Sequence, residues 1–145
     1  MTGVYNELLD KQIKEMNDAE AILRHSYDKC CRIGARPDLD NDQLESFEAL
    51  TARFSRLSDL VIQKVLRTIS ILDLEDSGTV RDRINRAEKK GFIESAEDFV
   101  QIRMLRNEIA HEYKSETIFE RVLALTPVLM EGVKKISSGV RNASR

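Results

Sequence analysis

Hydrophobic positions recur along most of this chain at intervals of three and four residues. That is the repeat of a helix with one buried face. Leu9, Ile13, Met16, Leu23, Tyr27 and Cys30 form such a stripe in a first helix from near Thr2 to near Ile33, with Glu20 interrupting it. Gly34 and Pro37 then stop the helix. Asp40 and Gln43 have the spacing of an N-terminal cap and its reciprocal partner. A long second helix follows to about Leu74. Phe47, Phe54 and Val61 recur once per heptad, as do Leu50 and Leu57, and Leu44, Val65, Ile69 and Leu72 extend the stripe. Its width leaves surface for packing within the chain and for a contact between two copies.

Asp73, Glu75, Asp76, Ser77 and Gly78 form a polar break. Thr79 and Asp82 fit a capping box for a short third helix through Lys90, and Gly91 suits a left-handed end. Ser95 and Asp98 repeat the cap spacing before a fourth helix that reaches about Tyr113. Ser115 can cap a fifth, in which Ile118, Val122, Leu125, Leu129, Val133, Ile136 and Val140 keep the helical spacing. Pro127 lacks a backbone donor and crowds the preceding turn, so a kink is expected there. Asn142 to Arg145 are expected to fray. The pattern predicts an all-α, up-and-down bundle of about five helices in a single domain spanning residues 1–145.

Composition narrows this picture. Hydrophobic residues make up 41% and charged residues 33%, which suits helices with one buried and one solvated face. No apolar run approaches the roughly 20 residues of a membrane span. The start, Met1 to Met16, lacks the apolar core of a signal peptide, so a cytoplasmic location is expected, with no membrane partner. The net charge of −2 gives no global signal for nucleic acid. A local one exists: Arg81, Arg83, Arg86, Lys89 and Lys90 face only Asp82 and Glu88 between Val80 and Lys90, and Arg103 and Arg106 follow. Such a run is ordinarily a solvated face, but it can also line an RNA path. Cys30 and Cys31 are adjacent and the only histidines are His25 and His111, so neither a disulfide framework nor a zinc site is expected.

The chemistry concentrates in Arg106-Asn107-Glu108-Ile109-Ala110-His111-Glu112-Tyr113. At about 100° per residue, Arg106, Asn107, His111 and Tyr113 fall within roughly 160° of one helix face. Glu108 and Glu112 fall off that arc and read as surface charges. The arc unites a permanent cation, an amide, an imidazole and a phenol. Arg106 offers a planar fork for two phosphate oxygens. His111 is of the residue type that exchanges protons near neutral pH. Asn107, one turn before it, can orient the imidazole or donate to a phosphate. Tyr113 can contact phosphate or stack on a base, and Arg103 adds a substrate-binding cation. These are parts for metal-independent RNA cleavage, in which the ribose 2′-OH attacks the adjacent phosphorus. The ordinary alternative is structural: Arg106 paired with Glu45, Glu48 or another helix carboxylate, His111 capping, Tyr113 a half-buried anchor.

This run resembles the R-x4-H-x-Y motif of HEPN-domain proteins. Arg106, His111 and Tyr113 stand at its defined positions, Asn107 is the frequent residue after the Arg, and Phe99, Ile102 and Leu105 lead into it. The resemblance extends in outline over most of the chain, and it is nearest to the HepT-like branch of small ribonucleases. It implies a HEPN-like bundle acting as a symmetric homodimer, with paired motifs lining a cleft. It implies a toxin of a toxin–antitoxin pair: an endoribonuclease with Arg106 and His111 catalytic, Asn107 and Tyr113 binding RNA, and no metal or cofactor. Arg103 lies outside the motif and joins the RNA-binding set only as a neighbouring cation. It also implies a cognate minimal nucleotidyltransferase as antitoxin, which AMPylates Tyr113 and so sets a phosphate beside Arg106. The alternative function is a non-catalytic, nucleotide-binding helper subunit of a nucleotidyltransferase. A ligand-free helical interaction module is a third.

Overall fold

The computed structural model describes residues 3–75, 77–112 and 115–143, with side chains from Glu7 onward. Every regular element among them is helical: α1 (Gly3–Ile33), α2 (Asn41–Asp59), a π-helical segment (Leu60–Val65), α3 (Leu66–Leu72), α4 (Val80–Lys89), α5 (Ala96–His111) and α6 (Glu116–Ala143). The chain runs from α2 through the π segment into α3 without a break, so the described residues form five helical rods. This is the all-α bundle expected from the periodicity.

The helix ends form where the sequence places the capping groups. Asp40 and Gln43 make the reciprocal box at the start of α2, and Thr79 and Asp82 make it at the start of α4. The Ser95 hydroxyl accepts from the Asp98 N–H, and the Ser115 hydroxyl from the Ile118 N–H. Those bonds satisfy donors that the first helical turn leaves unpaired. Gly34 and Gly91 end α1 and α4 with φ near +80°. Leu74 ends α3 the same way, with φ 59°. There the Glu75 N–H reaches the Ser70 carbonyl and the Leu74 N–H reaches that of Ile71, the pairing of a left-handed helix stop usually given to glycine.

The predicted stripes are the core. Met16, Leu23, Cys30, Phe47, Leu50, Phe54, Leu57, Ile84, Ile102, Val122 and Ile136 are fully buried. Burying one such large apolar side chain contributes about 1.5–3 kcal/mol. Rings Phe47 and Phe119 stack with centroids 4.8 Å apart, joining α2 to α6. α2 occupies the middle, against α1, α5 and α6, while α4 lies across α3 and α5. Glu20, the interruption in the α1 stripe, is ion-paired with Arg24 one turn on. α6 stays helical through Pro127.

Two features depart from the sequence reading. The second helix is not a uniform α-helix. In its π segment the Leu66 N–H bonds to Val61, five residues back. Such a turn inserts an extra residue and re-aims everything beyond it. Arg83 of α4 braces the segment by donating to the Ile62 carbonyl at 3.2 Å. The fourth helix ends at His111, with Glu112 extended beyond it. Tyr113 lies outside the described residues.

Candidate functional site on α5

α5 is anchored before its chemistry begins. The Ala96 N–H donates to the Glu88 carboxylate at 2.6 Å, tying its first turn to α4. Phe99, Ile102, Leu105 and Ile109 then bury one face of the helix. With that face fixed, the helical repeat determines where the rest point. Arg106 lies at the margin of the buried face, partly covered. Asn107 and His111 are exposed, and Arg103, one turn before Arg106, is half-buried. Asn107, His111, Arg103 and Arg106 therefore share the exposed side of α5 and its margin. His111 is five residues beyond Arg106, about 7.5 Å along the axis. It ends the helix.

Arg106 faces α2. Its Nε donates to both oxygens of Asp59, at 3.0 and 3.2 Å, and its Nη2 donates to Oδ2 at 3.0 Å. These hydrogen bonds hold the guanidinium above its ordinary pKa. Partial burial acts the other way, and the Asp59 charge adds to the rise. The side chains are 31% and 46% exposed, so solvent screens the pair, which stabilises the fold by about 0.5–1 kcal/mol. Arg106 thus has the carboxylate partner that a structural role requires. The partner is Asp59, three turns along α2 from Glu48, and not Glu45 or Glu48.

Chemistry remains open to Arg106. A guanidinium has five N–H donors, and the Asp59 fork occupies one edge. Beside the pair runs a shallow groove of about 470 Å3, lined by Thr51, Ser55, Arg56, Asp59, Arg106 and Ile109 among others. Arg56 is exposed on its α2 side. The groove and Asp59 were not foreseen in the sequence. Asp59 is one of 25 acidic residues and has no local signature.

Compared with known protein families, curated proteins and solved structures, the chain matches none. The resemblance therefore rests on the sequence pattern, above all the Arg106-to-Tyr113 run.

The basic run on α4 is largely engaged locally. Lys90 bonds to Asp73 and Glu75, at 2.6 and 2.8 Å. Burial, the largest single influence, pulls its pKa down, but the two hydrogen bonds and the charges of Asp73 and Glu75 together leave the ammonium above its ordinary value. Arg86 donates to the Ser77 carbonyl, and Arg81 pairs with Glu97 at 3.5 Å. These side chains fasten α4 to the loop before it and to α5. Glu108 is ion-paired with Arg121 of α6, in keeping with a surface charge. Among the described residues no group of three or more His, Cys, Asp or Glu side chains could hold a metal ion. No helix among them is long and apolar enough to cross a membrane.

Proposed function

We propose that the protein is an endoribonuclease of the HEPN type, the toxin of a toxin–antitoxin pair, acting as a symmetric dimer. One observation carries the reading. α5 keeps Arg103, Arg106, Asn107 and His111 on its solvent side and margin, while a separate apolar face holds the helix in the core.

In the proposed reaction a ribose 2′ oxygen bonds to the adjacent phosphorus as the bond to the 5′ oxygen breaks. The products are a cyclic phosphate and a 5′-hydroxyl. One imidazole takes the 2′ proton and a second protonates the leaving oxygen. Each chain supplies one His111, so a twofold dimer with facing α5 helices supplies both. Arg106 stabilises the charge on the phosphoryl oxygens. AMPylation of Tyr113 by a partner nucleotidyltransferase would place a competing phosphate near the same cations.

The test is growth and RNA integrity after induced expression of wild type, Arg106→Ala and His111→Ala at matched soluble levels. Wild type should arrest growth and degrade RNA. Each variant should be harmless, with cleavage lowered about 100- to 10,000-fold. Intact RNA and normal growth with wild type, purified without AMP on Tyr113, would sink the toxin reading. The alternative is a nucleotide-binding helper of a nucleotidyltransferase. The α2–α5 groove, where Arg56 and Arg106 stand together, is the place such a nucleotide would lie. ATP binding without RNA cleavage would select it.

A further inference from the structure

A phosphate-gripping arginine needs more than charge. Its side chain has several rotatable bonds, and freezing them on a substrate costs about 1.5–2 kcal/mol of rotamer freedom. A site that fixes the guanidinium beforehand avoids that cost at the moment of reaction. In this fold the fixing group comes from another helix. Asp59 is the last residue of α2, where the backbone passes into the π segment. Its two oxygens take the Nε–H and one Nη2–H of Arg106, with all three distances between 3.0 and 3.2 Å. The Nη1 group and the other Nη2–H make up the opposite edge of the fork, which is the edge that a phosphate can take end-on. Arg106 can therefore bind a phosphate without leaving Asp59. Asp59 keeps α-helical backbone at the end of α2, and just beyond it Arg83 of α4 braces the π segment through the Ile62 carbonyl.

We infer that Asp59 is the positioning residue of the α5 site: it holds one edge of the Arg106 guanidinium so that the other edge meets the scissile phosphate. The inference rests on the ribonuclease reading above and adds a residue from outside the Arg106-to-Tyr113 run. It assigns opposite signs to two measurable quantities. Removing the carboxylate leaves Arg106 charged but unaimed, so the chemical step slows. Removing it also takes a negative charge from the groove, so attraction for a polyanion does not weaken. A merely structural Asp59 would lower cleavage only as far as it lowered the folded fraction. An Asp59 that acts as a brake, competing with substrate for Arg106, would raise cleavage on removal.

The experiment compares wild type, Asp59→Ala and Asp59→Glu. Cleavage of a transcribed RNA is measured at saturating substrate. Binding is measured with a short oligodeoxythymidylate, which lacks the attacking 2′-OH. Folding is checked by circular dichroism melts. Asp59→Ala should lower the cleavage rate at saturation about 10- to 100-fold. It should bind the DNA probe as tightly as wild type or tighter. Asp59→Glu, which retains the carboxylate, should recover part of the rate. Faster or unchanged cleavage by folded Asp59→Ala overturns the inference and leaves the ribonuclease reading intact. So does a fall in cleavage matched by equally weakened DNA binding, or one explained by unfolding. A wild type that cleaves no RNA overturns both, whether or not it binds the probe.

Discussion

At the scale of single residues, burial separates neighbours that look alike in the sequence. Cys30 and Cys31 are adjacent, yet Cys30 is fully buried and Cys31 exposed. The Cys30 thiol donates to the Ser46 carbonyl at 3.4 Å. Burial, helped by the neighbouring Cys31, pushes its pKa from 9.0 up to about 11. A raised value means that the folded state keeps its proton where the unfolded chain has lost it. The stabilisation is complete below about pH 9 and is lost as pH climbs towards about 11. The stability advantage of wild type over Cys30→Ala should therefore shrink across that window in urea titrations. An advantage that is flat with pH would refute it. Arg106 gives a second contrast. Its need for a carboxylate was legible, but its partner was not. Glu45, Glu48 and Asp59 all lie on α2, and only the axial offset between α2 and α5 selects Asp59.

At the scale of elements, boundaries written in local chemistry were legible. The Asp40–Gln43 and Thr79–Asp82 boxes and the glycine stops at Gly34 and Gly91 are interactions within one turn, so sequence spacing suffices. The left-handed stop at Leu74 carried no such signal, because its residue is one that usually avoids that conformation. The π segment was equally hidden, since its apolar residues fit an α-helical stripe as well. Close approach between elements also escapes periodicity. At Gly132 of α6 an added Cβ would lie 2.3 Å from Phe99 Cζ, and the Phe99 ring is buried and has little room to yield. Gly132→Ala should therefore destabilise the protein, by about 1–2 kcal/mol after its gain in helix propensity. Chemical denaturation would measure this, and a stabilised variant would show that α5 and α6 can part freely. Gly132 lets α6 lie close to the buried face of α5, so it helps fix the depth at which Arg106 and His111 sit.

At the scale of the whole molecule, charge and architecture act together. The net charge of −2 provides no general attraction for RNA, and much of the α4 basic run is tied into local bonds. Binding, on the proposed reading, is confined to Arg103 and Arg106 of two facing copies, hence about four phosphates. Each phosphate neutralised on a single strand contributes about −0.7 to the slope of log affinity against log salt. Fluorescence anisotropy with an oligodeoxynucleotide should accordingly give a slope near −3. A slope about twice as steep would mean that α4 also carries RNA, and a slope near zero would refute ionic binding.

The sequence by itself determined five helical rods, most of their caps, the core-facing stripes and the arc of α5 that carries Arg106, Asn107 and His111. Each of these is a consequence of helical periodicity or of groups within a turn of each other. The tertiary structure alone decided that Asp59 grips Arg106, that Arg83 braces the π segment, and that the α4 cations bind the loop beside them. Those pairings depend on how far one rod slides and rotates along another. That offset is set by the sum of many core contacts, and no short stretch of sequence encodes it.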